Sequence, residues 1–498
     1  MKFNLKTTLI NTISTLTLQI ITIINGFIIP KIILSYFGSE VNGIVSSIDQ
    51  FLNYITLLEG GVTGVIMASL FKPLTENNKD KINSIVKTTE MFFKKIGYIY
   101  IGYSIVLSIT YPIIFKSQFS YKYVFFLVLI SSIKWFVQYM FAITYKTLLN
   151  ADKKVYIVSF TNSIIIVLNI ILAYISVKII PSIHILKFIV GSMYLIQPLV
   201  YSSYIKRYYG IDKNVKPDNN LLKQRWNGFA VNVAAFIHSN TDITILSIFS
   251  DFKTVSVYSI YMLITNGLKQ IILSISNGIS PTIGHAIAVG NENETNKKID
   301  MYELVIFLST FILFSVAGLL ITPFVMIYTS GINDANYYQP IFGYLLILSE
   351  AIYVIKTHHV NIAYNSNHFK QITKACYIEA LTNICISLIL IHKLGIIGIA
   401  IGTLIAMIYR MIYQINYTNK YLIKRPVTIF YKKLLVYSIS CILGIIVCKI
   451  LIPSVKYTIS NWIWHGILYT IVFVAIYLVA TVIFYKKDLT RLKKYIKK

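Results

Sequence analysis

The sequence predicts an all-α integral membrane protein with about fourteen transmembrane helices. Of its 498 residues, 56% are hydrophobic and only 13% are charged, and the mean hydropathy is +0.67. A hydrocarbon core of about 30 Å needs roughly 20 apolar residues per helix, and apolar stretches of that length follow one another along the chain. The basic residues collect in every second gap between them, as is typical of a multi-pass membrane protein.

Fourteen spans follow in order, each separated from the next by a polar, basic or turn-forming segment. The first six lie at 8–34, 41–71, 91–115, 121–149, 154–177 and 182–205. The next six lie at 226–249, 254–288, 301–328, 338–366, 371–391 and 395–415, and the last two at 432–452 and 461–485. Several are longer than a straight crossing needs, so we expect them to tilt, bend or extend beyond the lipid.

The distribution of Lys and Arg predicts the orientation of the chain. With the N-terminus in the cytoplasm, 34 of the 46 basic residues face inward, nine face outward and three lie inside spans. We therefore expect both termini to be cytoplasmic. The net charge of +27 is explained by basic loops beside anionic lipids of the inner leaflet, and no nucleic-acid partner is expected.

A weak internal repeat divides the chain into two halves. The first span has a polar stripe on one helix face, formed by Asn11, Thr15, Gln19, Thr22 and Asn25. An offset of 217 residues relates Asn25 to Asp242 and Gly61 to Gly278. We predict one six-helix half at 1–210, a second at 211–425, and two further helices with a basic cytoplasmic tail at 426–498. Such duplicated halves are typical of transporters, with the substrate path between them.

Charged residues inside the spans are the candidate functional residues, because each costs roughly 2.5–3.5 kcal/mol to insert. Three lysines belong to this set: Lys134, Lys269 and Lys356. Each either pairs with a carboxylate or snorkels to an interface, or it lines a cavity and binds an anionic substrate. We predict these lysines, with Asn25, as substrate-binding residues. Arg410, near the inner end of its span, is expected to anchor the interface.

Five acidic residues inside spans are candidates: Asp49, Glu59, Asp242, Glu350 and Glu379. We predict that Asp242, Glu350, Asp49 and Glu59 couple transport to an ion or line a cavity. Asp242 ends the polar stripe of the seventh span and could bind H⁺ or Na⁺ during transport. Glu59 precedes two glycines, where helices approach closely, so a packing or pairing role is equally consistent with its position.

The short loops argue against several classes of protein. The chain has no G-x-x-x-x-G-K-[ST] phosphate-binding loop and therefore no fused ATP-driven motor of that kind. No long outer loop is available for a polymerase or glycosyltransferase site, and no spaced His/Cys or His/Glu cluster indicates a metal hydrolase. The adjacent pair His358–His359 is expected at an interface or a cavity. We predict no catalytic residue, cofactor or metal, and a transporter is favoured over an enzyme.

One segment carries a resemblance to a known family. Tyr36–Gly61, YFGSEVNGIVSSIDQFLNYITLLEGG, together with the fourteen spans, resembles the polysaccharide biosynthesis membrane proteins. These are the Wzx-type flippases of O-antigen, capsule and exopolysaccharide pathways, in the MATE-like (MOP) superfamily of drug exporters and the lipid II flippase.

The resemblance implies a MATE-like fold and a specific substrate. That substrate is an undecaprenyl-diphosphate-linked oligosaccharide, moved by alternating access from the inner to the outer leaflet of the bacterial inner (cytoplasmic) membrane. The resemblance also implies membrane lipids and a polysaccharide polymerase as partners. It implies that H⁺, Na⁺ or the membrane potential drives the cycle.

The chain departs from two relatives of that family. Proton-coupled MATE exporters usually have an acidic residue in the first helix, where this chain has Asn25 and no carboxylate. Asp242 and Glu350 are similar to the acidic pair of cation-coupled exporters, so a cation-coupled multidrug exporter is the alternative transporter. The first spans lack the arginine cluster of the lipid II flippase. A membrane glycosyltransferase or polymerase is the alternative from the enzyme class.

Overall fold

The computed structural model describes residues 5–59, 61–115, 118–212, 215–218, 229–289, 292–366, 368–453 and 455–496. Over these residues the chain is α-helical and contains no β-strand. It divides into two compact units. Unit 1 comprises Met1–Phe236 and Leu246–Ser256, and unit 2 comprises Ile237–Ile245 and Val257–Lys498.

Eight helices precede the segment that leads into unit 2. They are α1 (Leu5–Asn53), α2 (Val62–Thr75), α3 (Lys79–Ile114), α4 (Tyr121–Val137), α5 (Ile143–Ala151), α6 (Val155–Ile179), α7 (Ile183–Ser192) and α8 (Ile196–Tyr208). A π-helical turn, Gln138–Ala142, joins α4 to α5, and a 3₁₀ turn, Met193–Leu195, joins α7 to α8. Helix α5 therefore continues α4, and helix α8 continues α7.

The remaining helices are α9 (Phe229–Phe249), α10 (Phe252–Val289), α11 (Glu292–Tyr328), α12 (Pro340–Asn365), α13 (Phe369–Leu394), α14 (Ile396–Thr418), α15 (Thr428–Leu451), α16 (Ile459–Phe484) and α17 (Lys486–Ile496). A π-helical turn, Asn419–Ile423, extends α14. Residues at both ends of α9 and at the start of α10 belong to unit 1.

The predicted all-helical membrane fold is confirmed. Eleven stretches of the described residues are long and apolar enough to cross a membrane. Predicted spans one and two share the first of these stretches, Leu9–Leu58. Predicted spans seven and eight correspond to α9 and α10, which are 21 and 38 residues long and lie outside the eleven.

The second predicted span is not one continuous helix. α1 runs past the predicted first loop but breaks at Gly38, whose φ of 80° and ψ of 178° belong to a region that essentially only glycine occupies. After Asn53 a 3₁₀ turn, Tyr54–Leu58, replaces the α-helix. Gly61 then takes a left-handed φ of 83°, and α2 starts anew at Val62. The predicted span over 41–71 is therefore interrupted between Asn53 and Val62.

In unit 1, α1 packs against neighbouring helices through contacts that require a glycine or a side chain with a hydroxyl group. At Gly43, an added Cβ would lie 1.7 Å from the carbonyl oxygen of Phe252, so only glycine permits this approach of α1 to the start of α10. The buried Ser47 hydroxyl is bonded at 2.7 Å by the Tyr111 hydroxyl and by the Ser247 hydroxyl. These contacts hold α1 against α3 and against the end of α9.

Unit 2 packs α12 against α11 and α14, and α13 against α14. Its apolar core is rich in large aromatic rings: Phe307, Phe430, Tyr437, Phe473 and Tyr477 are buried in one cluster. This cluster joins α15 and α16 to α11. Large apolar side chains stay exposed elsewhere, for example Ile179 in unit 1 at 72% and Ile450 in unit 2 at 75%, as expected for surfaces that face lipid tails.

Candidate functional site

Five helices bring together six charged side chains of unit 2, which we call the charge chain: Asp242, Lys269, Glu350, Lys356, Glu379 and Arg410. Lys269 on α10 lies with its Nζ atom 3.1 Å from Glu350 Oε2 on α12. These two side chains are 16% and 9% exposed. Two residues predicted from the sequence on separate spans are therefore partners, and the ion pair is nearly buried.

The next link of the charge chain is a buried triad. Lys356 Nζ lies 2.8 Å from Glu379 Oε1, and Arg410 Nε lies 3.2 Å from Glu379 Oε2. Arg410 also donates to the carbonyl oxygen of Ile372. Arg410 is only 2% exposed, so its predicted role as an interfacial anchor is wrong. Glu379, which lies between the two cations, compensates for their burial.

Tyr353 connects the two parts of the charge chain. Lys269 Nζ lies 5.2 Å from the centroid of its ring, and Lys356 Nζ lies 5.0 Å from it. Cation–π contact in a desolvated site stabilises an ammonium group. A single ring therefore contacts both lysines.

Asp242 is the member of the charge chain that lies in a pocket of hydroxyl groups. Its Oδ2 atom accepts hydrogen bonds from the Tyr258 hydroxyl at 2.8 Å and the Thr403 hydroxyl at 2.9 Å. Asn383 donates to the same threonine oxygen. Asp242 is 7% exposed, and its Oδ1 atom has no hydrogen-bond partner among the described residues. An incoming cation would therefore find a buried carboxylate with one oxygen that is not bonded to any described residue.

Unit 1 contains a second cluster, which we call the lysine site: Glu59, Thr63, Lys134, Tyr139 and Lys146. Glu59 lies at the break between α1 and α2 and accepts a hydrogen bond from the Thr63 hydroxyl. Tyr139 lies on the π-helical turn between α4 and α5, and its ring is near the Glu59 carboxylate. π-Helical turns and broken membrane helices are both frequent at functional sites.

The two lysines of the lysine site have no ion pair with any described residue. Lys134 lies 5.0 Å from the Tyr194 ring centroid and 5.3 Å from that of Trp135. Lys146 is half-buried, and the charges of Glu59 and Lys134 both act on it. The lysine site therefore holds two ammonium groups and one carboxylate, which gives it an excess of positive charge.

Asp49 and Asn25 are the other predicted residues of unit 1. Asp49 binds Lys187 with both carboxylate oxygens, at 2.8 and 2.9 Å. Asn25 is half-buried, and its Oδ1 atom is buried without a hydrogen-bond partner among the described residues. At the start of the polar stripe, Asn11 donates to the carbonyl oxygen of Lys153 and accepts from the N–H of Tyr156. This end of the stripe therefore packs against another part of unit 1.

His358 and His359 belong to a third cluster, with Glu303, Arg425 and Lys433. The two imidazole Nε2 atoms lie 3.7 and 3.3 Å from Glu303 Oε1. Arg425 binds the same carboxylate oxygen, and Lys433 Nζ lies 3.0 Å from the other. All three potential metal ligands are buried, yet two cations already neutralise the carboxylate, which opposes the binding of a metal ion.

Sequence reasoning missed several partners in these clusters. Tyr353, Tyr258 and Thr403 are ordinary residues of apolar spans, and nothing in their spacing indicates a charged neighbour. Lys146 and Lys433 each lie at the end of a predicted span, where the sequence pattern assigns a basic residue to the cytoplasmic side. For Lys433 the sequence does contain a signal. Glu303 begins an otherwise apolar stretch, and a carboxylate in such a stretch predicts a cationic partner.

Comparison with known proteins supports the fold and not the family. No protein-family model and no curated protein matches the chain. Among solved structures, the lipid II flippase MurJ in an inward closed conformation matches with a TM-score of 0.73 at 17% identity, over 97% of this chain and 100% of MurJ. The fold prediction is confirmed by this likeness.

Multidrug transporters are also similar in fold. An inward-facing MATE transporter of the MOP superfamily has a TM-score of 0.63 at 15% identity, over 81% of this chain and 97% of its own. An outward-facing MATE transporter of the same superfamily has a TM-score of 0.58 at 14% identity, over 82% and 94%. The chain therefore has the fold shared by MurJ and the MATE transporters.

Proposed function

We propose that this protein is a flippase for a lipid-linked oligosaccharide. In this proposal it moves an undecaprenyl-diphosphate-linked glycan from the inner to the outer leaflet of the bacterial cytoplasmic membrane, by alternating access, for the assembly of a surface polysaccharide. The proposal includes cytoplasmic N- and C-termini. The TM-score of 0.73 with a lipid II flippase is consistent with this proposal and does not identify the glycan.

The observation that carries the proposal is the excess positive charge of the lysine site. Lys134 and Lys146 lie inside a membrane-spanning stretch, Tyr121–Ala151, without an ion pair among the described residues. A lipid diphosphate carries negative charge and cannot cross a hydrocarbon core unaided. Two ammonium groups beside the broken helix α1–α2 supply the charge that such a group needs.

A cleft in unit 2 fits the lipid portion of the substrate. It lies among α11, α12 and α15 and has a volume of about 470 Å³. Its lining is predominantly apolar and includes Phe311, Phe314, Ile347, Leu348, Leu434 and Ile445. An isoprenoid chain is the membrane component that fills an apolar cleft of this kind without leaving a polar group unsatisfied.

The charge chain is the part of the protein that we assign to energy coupling. Asp242 has one unbonded carboxylate oxygen, so H⁺ or Na⁺ can bind there without displacing a protein ligand. Lys269 and Lys356 remain candidates for substrate contact. Because each has a carboxylate partner, we propose that they meet the diphosphate only when those ion pairs exchange during the cycle.

A cation-coupled multidrug exporter is the second candidate, and Asp242 is the observation that favours it. Its carboxylate is buried and has one oxygen without a hydrogen-bond partner among the described residues. Lys269 neutralises Glu350 at 3.1 Å, however, and a lysine in this position repels a cationic drug. This contact favours the anionic substrate.

Flipping in reconstituted vesicles tests the proposal. The purified protein is reconstituted with the lipid-linked oligosaccharide extracted from its native host, and a membrane-impermeant glycosidase reports how much glycan reaches the outer face. We expect the double variant Lys134→Ala/Lys146→Ala to flip about 10- to 100-fold more slowly, because each lysine loses a charge-assisted hydrogen bond to the diphosphate.

A matched control separates this effect from a general loss of positive charge. Lys122 and Lys178 are exposed lysines of the same unit, and Lys122→Ala/Lys178→Ala should flip at the wild-type rate. Full activity of the Lys134→Ala/Lys146→Ala variant would overturn the role of the lysine site. Absence of flipping by the wild-type protein, combined with efflux of a cationic dye, would favour the multidrug exporter.

A further inference from the structure

A row of four tyrosines lies along α14 and the π-helical turn that extends it. We call Tyr409, Tyr413, Tyr417 and Tyr421 the tyrosine ladder. Successive ring centroids lie 6.5, 6.1 and 5.1 Å apart, and the middle two rings are within 5° of parallel. A spacing of four residues places side chains on one helix face, so the ladder presents one continuous aromatic surface.

The tyrosine ladder lines an open cleft with a volume of about 820 Å³. The polar side chains of this cleft are His368, Gln371, Asn416 and Lys420. Gln371, Asn416 and Lys420 are exposed, and Tyr421 is 55% exposed. The cleft therefore combines stacked aromatic faces with amide and ammonium groups that can bind a ligand in water.

Two hydrogen bonds fix the middle of the tyrosine ladder to α13. The Tyr417 hydroxyl lies 2.6 Å from His368 Nδ1, and the Tyr413 hydroxyl donates to the carbonyl oxygen of Gln371 at 3.2 Å. Rings held in this way lose little conformational entropy when a ligand binds. The surface is therefore organised before a ligand arrives.

The length of the ladder distinguishes it from an ordinary belt of interfacial aromatic residues. At 1.5 Å per residue, the twelve steps from Tyr409 to Tyr421 extend about 18 Å along the helix axis. The interfacial layer on each side of a bilayer is only about 5–7 Å thick. A belt therefore explains one or two of these rings, and four rings in line need another reason.

The chemistry of the cleft selects among ligands. A flat cationic compound would stack on tyrosines, but Lys420 Nζ already lies 5.1 Å from the Tyr421 ring centroid and repels a second cation. Sugars have apolar C–H faces that stack on aromatic rings and hydroxyl groups that bond to amides and ammonium groups. Several rings in a row fit a chain of sugars better than a single one.

We infer that the tyrosine ladder, with Gln371, Asn416 and Lys420, is a glycan-binding site that receives the oligosaccharide portion of the lipid-linked substrate. This inference rests on the proposed flippase function and adds to it the place where the sugars bind. In the predicted topology this end of α14 is cytoplasmic, which is the side from which the substrate enters.

Binding measurements with three probes test this inference. The probes are the lipid-linked oligosaccharide of the native host, the free oligosaccharide released from it, and undecaprenyl diphosphate without sugar, each titrated calorimetrically into the full-length protein in detergent. We expect Tyr413→Ala/Tyr417→Ala to bind the two glycan probes about 10- to 100-fold more weakly. Its affinity for undecaprenyl diphosphate should equal that of the wild-type protein.

Control variants show whether the effect comes from the aromatic faces of the ladder. Tyr413→Phe/Tyr417→Phe keeps the rings and should retain most of the affinity. Tyr204 and Tyr208 form another pair of neighbouring tyrosine rings four residues apart, on α8 of unit 1, with centroids 4.4 Å apart and planes inclined by 35°. Tyr204→Ala/Tyr208→Ala removes the same two side chains elsewhere and should bind every probe as the wild-type protein does.

The outcomes separate the ladder from the flippase proposal. Wild-type affinity of Tyr413→Ala/Tyr417→Ala for both glycan probes overturns the glycan site, while flipping by the wild-type protein would still support the proposed function. A wild-type protein that binds none of the three probes overturns both. An equal loss for all three probes in the ladder variant also counts against the inference, because it indicates misfolding.

Discussion

The two units handle positive charge inside the membrane in opposite ways. In unit 2, Lys269 and Lys356 each lie within 3.1 Å of a carboxylate oxygen, and Arg410 shares one of those carboxylates. In unit 1, the charges of Glu59 and Lys134 both act on Lys146, and neither lysine forms an ion pair among the described residues. Both sets of lysines lie in apolar spans, so both carry the free-energy cost of placing a charge in the membrane. That cost alone does not explain why only one set is paired with carboxylates.

The difference indicates two kinds of task. A buried ion pair whose members satisfy one another is costly to break, because the remaining charge is left without a partner. A lysine without a carboxylate partner keeps its charge available for a ligand. We therefore assign structure and coupling to the charge chain and substrate binding to the lysine site.

The largest effect that this comparison predicts is at Glu379. Glu379→Ala leaves Lys356 and Arg410 buried together without a counter-charge, so we expect a loss of about 3–5 kcal/mol in the free energy of unfolding. Denaturant unfolding in detergent measures it. Glu294→Ala is the control, because its ion pair with Lys297 has the same 2.8 Å distance but is 57% and 46% exposed. The control should change stability by about 0.5 kcal/mol or less.

Equal unfolding free energies for Glu379→Ala and Glu294→Ala would remove the contrast between the units. They would mean that water reaches Lys356 and Arg410 and screens them as it screens a surface pair.

A smaller effect is expected at the hydroxyl pocket of Asp242. Tyr258→Phe deletes the donor that bonds Asp242 Oδ2 at 2.8 Å, and a hydrogen bond to a charged group contributes about 2 kcal/mol. We expect a loss of that size in the free energy of unfolding. Tyr100→Phe, which removes a 3.2 Å bond from a buried hydroxyl to the carbonyl oxygen of Ser132, is the matched control and should cost about 1 kcal/mol.

The sequence predicted most of the charged residues that meet inside unit 2. It did not predict that the lysines of unit 1 would lack carboxylate partners. Lys134, Lys269 and Lys356 are recognisable because they interrupt apolar spans. Whether each has a partner depends on how helices far apart in the chain pack, and spacing along one helix contains no such information. Lys146 lies at the end of its predicted span, where a basic residue is expected to face the cytoplasm. The helix break at Glu59–Gly61 depends on the left-handed Gly61, and a pair of glycines alone also predicts close packing.

The ion pair between Lys269 and Glu350 provides a test of intermediate size. The pair is nearly buried, at 16% and 9% exposure, and we expect a coupling energy of about 1 kcal/mol from the cycle of Lys269→Ala, Glu350→Ala and the double variant. The double variant should also recover part of the stability that either single variant loses. A coupling energy near zero would place Lys269 with the unpaired lysines of unit 1, where it would be a direct candidate for the diphosphate.

The smallest change in stability, and the sharpest contrast, is expected at Lys146. Lys146→Met loses the attraction of Glu59 and the repulsion of Lys134 together, and it removes a charge that is half-buried. We expect the free energy of unfolding to stay constant or rise by about 0.5 kcal/mol, as is common when a functional site is replaced by apolar residues. The flipping rate should nevertheless fall at least about tenfold. Higher stability combined with slower flipping in this variant would indicate that Lys146 serves ligand binding and not the stability of the fold. A loss of several kcal/mol would instead show that Lys146 supports the fold, and the two units would then use their lysines alike.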